Sequence, residues 1–276
     1  MNGLDIPGIV WRRDPAAEIV PLVFDSPHSG AVYPADFAYR CPLSVLRRAE
    51  DAYVDELYAA APAAGATLIG AAFPRSYIDA NRAANDLDPA LIHGTLPPEL
   101  TPRPVTRVGL VRRFARPGMP IYDRRLHADE IVARVERYHA PYHRVLDEAC
   151  DRLYRRFGRV WHVNCHSMPS HGTREHGDFV LGDRDGTSCA GEFTAFVADF
   201  LRGLGYDVRI NEGYKGVEIV RRQGRPHCGR HSLQIEVDRA LYMNQRTLEK
   251  SPSFARLQAD LARLIAALRE FVRARL

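Results

Sequence analysis

Short apolar segments alternate with amphipathic segments along most of the chain. Residues 19–24 and 66–73 are apolar and rich in small or branched side chains, so both are predicted to be buried strands. Residues 127–157 and the segment that begins at Ser253 carry apolar residues every three or four positions, which predicts helices. Strands that alternate with helices are typical of a mixed, mostly parallel sheet with helices on both faces. The predicted fold is therefore α/β, with residues 1–276 in a single domain.

Other segments are predicted to be irregular or interrupted. Residues 1–18 are polar and contain Pro and Gly, so an irregular lead-in is expected. Residues 85–122 hold many prolines and little periodicity, and a connection of that length is usually a functional loop or a lid. Residues 42–61 are predicted to form one helix, and residues 211–229 a glycine-rich, basic loop. Pro141 interrupts the long helical segment, so a kink or two consecutive helices are expected there.

The composition argues against several classes of protein. With 276 residues and 46% hydrophobic content the chain can bury a large core, and no apolar run approaches the ~18 residues that span a membrane. The net charge is +4, but the arginines are scattered, which argues against a nucleic-acid partner. The five cysteines show no C-x-x-C spacing and are expected to be free thiols. We therefore expect a cytoplasmic protein without a membrane or nucleic-acid partner, and its oligomeric state stays open.

Two predicted strands end in the same way, with a histidine near serine and proline. The first strand stops at Ser26-Pro27-His28-Ser29-Gly30, because Pro27 has no amide hydrogen to donate to a neighbouring strand. A later strand, residues 159–165, runs into His166-Ser167-Met168-Pro169. The carboxyl ends of strands are where open α/β sheets bind ligands. A single histidine there is more often held in a turn by hydrogen bonds, but the repetition favours a shared site.

Two histidines and a carboxylate, with one position left for water, form the ligand set of catalytic zinc sites. His28 and His166 supply the nitrogen ligands in this interpretation. For the oxygen ligand we favour Asp51 over Glu50 and Asp55, because Asp51 begins a turn that can face the loop containing His28. The alternative is that Asp51 is an ordinary solvated carboxylate on a helix. The expected cofactor is one zinc ion, Zn2+.

Glu236 stands in the middle of the predicted strand Leu233-Gln234-Ile235-Glu236-Val237. Burying a glutamate there would be costly unless it were paired or functional. Strand alternation could instead place it on a solvated face together with Gln234. The functional interpretation is a general base beside the metal site.

Arg75, Asn81 and Arg82 lie in a short extended piece that leads into a polar loop. They are candidates for an anion clamp, because a guanidinium offers paired donors that match a carboxylate. The alternative is a surface ion pair with Asp79 or Asp86, which would contribute little to stability.

Three further reactive side chains are interpreted as structural. Cys165 is next to His166, but adjacent residues of a strand point to opposite faces, so Cys165 is expected in the core and not as a nucleophile. His139 and His143 are one helical turn apart and could bind a metal as a pair. We expect them to pack the helix or to support the site.

A set of short motifs runs in order over about residues 20–245. They are Ser26-Pro27-His28-Ser29-Gly30, Glu50-Asp51-Ala52-Tyr53-Val54-Asp55, Arg75-Ser76-Tyr77-Ile78-Asp79-Ala80-Asn81-Arg82, Pro141-Tyr142-His143 with Tyr138, Cys165-His166-Ser167-Met168-Pro169, Asp178-Phe179 with Gly182-Asp183, Leu233-Gln234-Ile235-Glu236 and Leu241-Tyr242-Met243. As a set they resemble the N-formylglutamate amidohydrolase (deformylase) family. One departure is Gly213, where the family pattern has proline.

This family is similar in fold to the zinc carboxypeptidases and the aspartoacylase-like deacylases, and the resemblance implies that fold here. It also implies a zinc ion held by His28, Asp51 and His166, with Glu236 as the catalytic base. Asn81-Arg82 would grip a substrate carboxylate.

The activity that the resemblance implies is zinc-dependent hydrolysis of N-formyl-L-glutamate to formate and L-glutamate, a step of histidine degradation. Arg75 is expected to stabilise the developing oxyanion, and a further cation must bind the second carboxylate of the substrate. The candidates for that cation are Lys215, Arg221, Arg222 and Arg239. Two alternatives stay open: a zinc deacylase or peptidase that acts on another N-acyl amino acid or peptide, and a non-enzymatic binding protein on the same fold.

Overall fold

Seven strands of the described chain form a mixed sheet at the centre of the molecule. The structure is a computed structural model that describes residues 5–103, 108–170 and 177–276. The strands are β1 (Val10–Arg13), β2 (Leu22–Ser26), β3 (Thr67–Ala71), β4 (Val160–Met168), β5 (Phe179–Gly182), β6 (Val208–Ile210) and β7 (Arg230–Asp238). Their order across the sheet is β1-β3-β2-β4-β7-β5-β6. β1 pairs with β3 and β5 with β7 in antiparallel fashion, and the other neighbours are parallel.

Helices cover both faces of this sheet. They are α1 (Leu43–Leu46), α2 (Val54–Leu57), α3 (Ala128–Arg134), α4 (Ala140–Phe157), α5 (Gly191–Gly203), α6 (Glu218–Gln223) and α7 (Phe254–Arg273). One core lies between the sheet and α2, α5 and α7, and a second core contains residues of α1, α3, α4 and α6. Successive residues of β2 alternate between them, with Phe24 in the first core and Val23 in the second. The predicted single-domain α/β fold is confirmed.

The predicted helix over residues 42–61 is wrong in its middle, where Asp51 lies. α1 passes into a 3₁₀ turn at Arg47–Ala49, and the chain leaves helical geometry before α2 begins. The amide of Asp51 donates to the carbonyl of His28 at 3.0 Å, and Tyr53 has a left-handed backbone with φ of 66°. Contact with the loop after β2 therefore replaces helical hydrogen bonding in this segment.

The expectation of an irregular lead-in over residues 1–18 is wrong for Val10–Arg13, which form β1 at the edge of the sheet. Val10 is buried in a core, and the ring of Trp11 lies so close to Gly70 of β3 that any Cβ there would overlap it. Four residues are too few to show a clear strand period. Pairing with β3 supplies the order that the local sequence does not.

The long segment over residues 85–122 contains short elements and is not structureless in its described part, which excludes residues 104–107. Ile92–His93 pairs with Leu126–His127, and Phe114–Arg116 pairs with Met119–Pro120. Its buried apolar side chains, which include Leu91, Leu100, Leu110 and Ile121, pack into the second core. The segment thereby forms an ordered wall beside the carboxyl ends of the strands.

The predicted interruption at Pro141 is confirmed. A π-helical turn over Val135–His139 joins α3 to α4, and Pro141 falls in the first turn of α4, where its missing amide hydrogen costs little. The helix predicted from Ser253 is confirmed as α7. The loop predicted over residues 211–229 is wrong where α6 forms.

All five cysteines are free thiols, as predicted. None of the helices in the described residues combines the length and the apolar character that crossing a membrane requires.

Candidate metal and active site

Three parallel neighbours, β2, β4 and β7, end at the same edge of the sheet. Asp25 of β2 is opposite Asn164 of β4, and His166 of β4 is opposite Glu236 of β7. His28 follows the last residue of β2 by two positions. Because the carboxyl ends of parallel strands face the same way, the two histidines and the glutamate line one cavity.

His28, Asp51 and His166 meet at this edge and are called the metal triad below. Nδ1 of His166 lies 2.9 Å from Oδ2 of Asp51, and Nδ1 of His28 lies 3.4 Å from the same oxygen. The three side chains are buried, and their possible ligand atoms all lie within 4.8 Å of one another. Nδ1 of His28 has no hydrogen-bond partner among the described residues. Two imidazole nitrogens and a carboxylate oxygen form a set of three ligands that fits a divalent metal such as zinc, whose catalytic sites have three protein ligands and one further position.

The other nitrogen of each histidine is held by an oxygen of the protein. Nε2 of His28 lies 2.6 Å from Oδ1 of Asp79, and Nε2 of His166 lies 2.9 Å from Oδ1 of Asn164. In the tautomer whose Nε2 donates to these oxygens, Nδ1 of each ring is available as a metal ligand; in the other tautomer of His166, Nδ1 donates to Asp51. Metal-binding histidines are oriented in this way in other proteins.

Asp51 enters the site as an anion. Nη2 of Arg239 donates to its Oδ1 at 2.9 Å, and Nη1 of Arg75 lies 3.7 Å from the same oxygen. Burial opposes ionisation, but the hydrogen bond with His166, the nearby ring of His28 and the charge of Arg75 hold the pKa of Asp51 well below the usual aspartate value. A buried carboxylate that stays charged attracts a cation, which agrees with a metal-binding role.

The other two candidate carboxylates have different surroundings. The hydroxyl of Tyr33 donates to Glu50 at 2.6 Å, so that side chain is engaged. Burial raises the pKa of Asp55, and its carboxylate does not belong to the group of converging ligand atoms in the described structure. The structure therefore brings Asp51 to the two histidines, and not Glu50 or Asp55.

Glu236 lies in the cavity wall beside the metal triad. It is 6% exposed and its neighbour Gln234 is 3% exposed, so the alternative of an outward, solvated face is wrong. Nε2 of Gln234 donates to Oε1 of Glu236 at 3.0 Å. Burial raises the pKa of Glu236 to about 7. A carboxylate with that pKa can both take up and release a proton near neutral pH.

The cavity has a volume of about 990 Å³. The acidic residues in its lining are Asp86 and Glu236, and the basic ones are Arg48, Arg75, Arg82, Arg103, Arg112, Arg116, Lys215 and Arg239. This excess of positive charge fits an anionic ligand.

Arg75, Asn81 and Arg82 all line the cavity, as the anion-clamp interpretation requires. Arg75 does pair with Asp79, at 2.9 Å from Nη2, but the pair is internal and not on the surface. Oδ1 of Asn81 accepts from the amide of Ile219 at 2.9 Å, which turns its Nδ2 toward Nε2 of His166, 2.9 Å away. Nε of Arg82 is buried without a hydrogen-bond partner in the described structure.

The four candidates for a second carboxylate are each paired with groups of the protein. Lys215 bonds both oxygens of Asp185 at 3.0 Å, and its side chain is 56% exposed. Arg221 pairs with Glu218, and Arg222 pairs with Asp147. Arg239 donates to Asp51, to Ser167 and to the carbonyls of Arg48 and Glu50. Arg221 and Arg222 do not line the cavity, so the structure brings Lys215 and Arg239 to it and leaves the other two outside.

The side chains interpreted as structural are buried away from the metal triad. Cys165 lies in the first core, on the face of β4 opposite to His166, and burial raises the pKa of its thiol well above the usual value. His139 and His143 lie 3.2 Å apart between their Nε2 atoms, and burial lowers the pKa of both. Nε2 of His139 also lies 2.8 Å from the carbonyl oxygen of Arg82. This contact agrees with a supporting role.

Two site residues were missed as such by sequence reasoning. Asp79 was considered only as a surface partner of arginine, yet it is fully buried and bonds His28. Arg112 lies in the proline-rich segment and lines the cavity. The available signal was the run Arg112-Arg113 followed by Arg116 in a segment without helical or strand periodicity.

Comparison with known proteins agrees with the family resemblance of the sequence motifs. Residues 20–243 match the family model described as N-formylglutamate amidohydrolase. The chain belongs to the N-formylglutamate amidohydrolase family. The matched range includes the metal triad, Glu236 and all cavity-lining cations named above.

Relatives of the family cover nearly the whole chain. The N-formylglutamate deformylase of Pseudomonas aeruginosa is 29% identical over 257 residues, which is 90% of each chain. The N-formylglutamate deformylase of Pseudomonas putida is 29% identical over 240 residues, 82% of this chain and 83% of that one. A crystal structure of N-formylglutamate amidohydrolase from Ralstonia eutropha JMP134 superposes with a TM-score of 0.94 at 45% identity, covering 98% of this chain and 100% of that one.

Proposed function

We propose that this protein is a zinc-dependent amidohydrolase that converts N-formyl-L-glutamate to formate and L-glutamate. The observation that carries the proposal is the metal triad beside Glu236 in a cavity with an excess of arginine. The names of the relatives support the substrate, since two of them are N-formylglutamate deformylases.

The metal triad would hold the ion through Nδ1 of His28, Nδ1 of His166 and a carboxylate oxygen of Asp51. Bound zinc supplies Lewis acidity, which makes hydroxide available near neutral pH. Asp79 and Asn164 hold the far nitrogens of the two rings, so the ligand atoms are oriented before the ion arrives.

Glu236 would act as the base and then as the acid. It takes one proton from the attacking water as the carbon–oxygen bond to the formyl carbon forms. It returns that proton to the amide nitrogen as the carbon–nitrogen bond breaks, so that formate and the free amine of glutamate leave. A pKa near 7 suits both steps, because neither protonation state is strongly disfavoured at neutral pH.

Arginines would position the substrate and stabilise charge that develops during the reaction. Nε and Nη2 of Arg75 donate to Asp79, while its Nη1 lies 3.7 Å from Asp51 and would donate to the oxyanion that forms beside the metal triad. Arg82, with the amide group of Asn81, would bind the α-carboxylate of the substrate.

The size of the cavity favours a second candidate substrate class. About 990 Å³ is at the upper end of the range for small-molecule sites, and N-formylglutamate is a small ligand. An N-acyl amino acid with a larger acyl group, or a short peptide, is therefore the alternative.

The proposal is tested by metal analysis of the purified protein together with an assay of formate release from N-formyl-L-glutamate. We expect one zinc ion for each chain, loss of activity after chelation, and recovery on adding zinc. Full activity of metal-free protein would refute the mechanism. A panel of N-acetyl, N-succinyl and peptidyl substrates distinguishes the alternative, which wins if any of them has a higher kcat/KM than N-formyl-L-glutamate.

A further inference from the structure

The cation that binds the second carboxylate of the substrate must have donors that the protein leaves unused. We propose that Arg112 is this residue and that it selects substrates with a carboxylate on the side chain. The inference rests on the proposed function, because it concerns an N-formyl amino acid bound in the same cavity.

Apart from Arg82, which is assigned to the α-carboxylate, Arg112 is the partly buried cation of the described cavity wall with the weakest acidic partner. Its side chain is 16% exposed, and its Nε is buried without a hydrogen-bond partner in the described structure. Its nearest ion pair joins Nη2 to Oδ2 of Asp79 over 3.9 Å, beyond hydrogen-bond distance. Asp79 is already bound by Arg75 and His28, so it has little capacity left for a third cation.

The other lining cations are less suitable for a buried carboxylate. Arg103 is 51% exposed in its side chain and pairs with Asp86. Arg48 and Arg116 are exposed, and an ion pair made by an exposed cation contributes little free energy because water solvates and screens both charges. Lys215 and Arg239 are engaged as described above.

The guanidiniums of Arg75 and Arg112 lie within 4 Å of Asp79, and the charge of Arg82 also acts on that carboxylate. Burial and the neighbouring charges of Arg75 and Arg82, opposed by Asp79 and Asp51, lower the pKa of Arg112 to about 9. The group is still cationic at neutral pH, and the local excess of positive charge is relieved when an anion binds. With Arg82 assigned to the α-carboxylate, a second carboxylate would neutralise Arg112.

The backbone holds Arg112 in place before substrate arrives. The carbonyl of Leu110 accepts from the amide of Asp79 at 2.8 Å, and the side chains of Leu110 and Val111 are buried. Gly109 approaches Asp86 so closely that a Cβ would lie 2.6 Å from its carbonyl oxygen. A fixed backbone restricts the positions that the guanidinium can occupy and so reduces the conformational entropy lost on binding, which favours discrimination between similar ligands.

The experiment measures kcat/KM on three substrates with the zinc-loaded parent and with Arg112→Ala. N-formyl-L-glutamate has both carboxylates, N-formyl-L-glutamine lacks the side-chain carboxylate, and 4-formamidobutanoate lacks the α-carboxylate. We expect Arg112→Ala to lower kcat/KM roughly 10- to 100-fold for the two substrates with a side-chain carboxylate, and less than about threefold for N-formyl-L-glutamine.

Two variants separate recognition from folding. Arg112→Lys keeps the charge without the planar fork, so it should recover part of the loss. Arg113→Ala is the matched control: that side chain is 44% exposed and lies 3.7 Å from Asp88, and its removal should leave all three values unchanged. Thermal unfolding of each variant confirms that the fold persists.

Equal losses on all three substrates, or a loss confined to N-formyl-L-glutamine, would overturn the assignment. If the parent hydrolyses none of them, the proposed function fails, and calorimetry with L-glutamate and L-glutamine still tests Arg112. The parent should bind L-glutamate more tightly, and Arg112→Ala should abolish that preference. A preference that survives the substitution would again overturn the inference.

Discussion

The same strands carry two clusters of histidine and aspartate with opposite properties. The first is the metal triad at the carboxyl edge of the sheet. The second, called the buried network here, consists of Asp25, His162 and Ser232. Nε2 of His162 lies 2.8 Å from Oδ1 of Asp25, and its Nδ1 lies 2.8 Å from Oγ of Ser232. These are the residue types of a serine-hydrolase triad, yet they are at most 1% exposed and none lines the cavity.

The two clusters differ in whether a ring nitrogen beside the cavity is left without a hydrogen-bond partner. Both nitrogens of His162 have partners, and burial, which opposes ionisation of Asp25, is outweighed by His162, Tyr142 and Asn164, so the pKa of Asp25 lies below its usual value. Nδ1 of His28 has no partner among the described residues and faces a carboxylate beside a cavity. Residue types alone therefore do not identify an active site. The distinguishing features are access from a cavity and ligand atoms that have no hydrogen-bond partner.

The largest expected effect compares two positions of β7 on the same face of the sheet. Glu236→Gln should lower kcat by about two to four powers of ten, because the variant cannot accept a proton, while metal content stays at the parent level. Ser232→Ala should leave kcat unchanged, since the hydroxyl serves only the buried network. Steady-state kinetics with metal analysis checks both. An active Glu236→Gln variant would remove Glu236 as the base.

The second effect is a loss of stability when a residue of the buried network is replaced. Asp25→Ala removes one partner of a buried pair and leaves His162, Tyr142 and Asn164 without their acceptor, so the free energy of unfolding should drop by about 3–5 kcal/mol. Denaturant titration of metal-free protein measures it. The residual folded protein should still hydrolyse substrate. A loss below 1 kcal/mol would show that the network contributes little to the fold.

The pH dependence of stability should differ between the clusters. In metal-free protein the pKa of Glu236 is raised from an ordinary 4.5 to about 7, so its contribution to stability is complete below 4.5 and is lost as pH rises through 7. That change is about 3 kcal/mol. Asp25 has a lowered pKa, so its contribution is present above the ordinary 3.8 and is lost at lower pH. Unfolding free energies from pH 3 to 8 should flatten on the neutral side in Glu236→Gln and on the acid side in Asp25→Asn. A Glu236→Gln profile identical to that of the parent would contradict the assignment.

The smallest effect concerns Asn164, which joins the clusters. Its Nδ2 donates to Oδ1 of Asp25 at 2.8 Å, and its Oδ1 lies 2.9 Å from Nε2 of His166. Asn164→Ala removes the acceptor of Nε2 of His166 and leaves that nitrogen only the amide donor of Asn81, which favours a proton on Nδ1, so zinc affinity should fall roughly 10- to 100-fold if His166 is a ligand. Competition with a chromogenic chelator measures the affinity directly. Unchanged affinity would mean that the orientation of His166 does not depend on this amide.

Part of the site was predictable because local patterns determine it. His28 follows one apolar strand, and His166 lies near the end of another. The two-residue period of a strand places Cys165 and His166 on opposite faces. Parallel pairing of β2, β4 and β7 then brings Glu236 to the same edge. The α/β fold was predictable for the same reason, since each element has its own periodicity.

The remaining parts depend on contacts between distant segments. The sequence analysis favoured Asp51 over Glu50 and Asp55 within a predicted continuous helix, whereas the break before α2, which brings Asp51 to the histidines, arises from contact with the loop after β2. Arg112 was not among the sequence candidates, because its unpaired Nε and its long distance to Asp79 depend on tertiary contacts. α6 has only six residues, and its Ile219 amide is bound by Asn81, so tertiary structure stabilises it more than helix propensity does.

Arg239 connects two segments of the chain that the ribosome synthesises at very different times. It donates to Asp51 across 188 residues of sequence, and to the backbone carbonyls of Arg48 and Glu50 that no helix satisfies. A nascent chain that has emerged only as far as β4 holds both histidines but not the arginine that bonds the carboxylate of Asp51. Ribosome-bound intermediates should therefore capture zinc poorly, and tight loading would mark completion of the chain through residue 239.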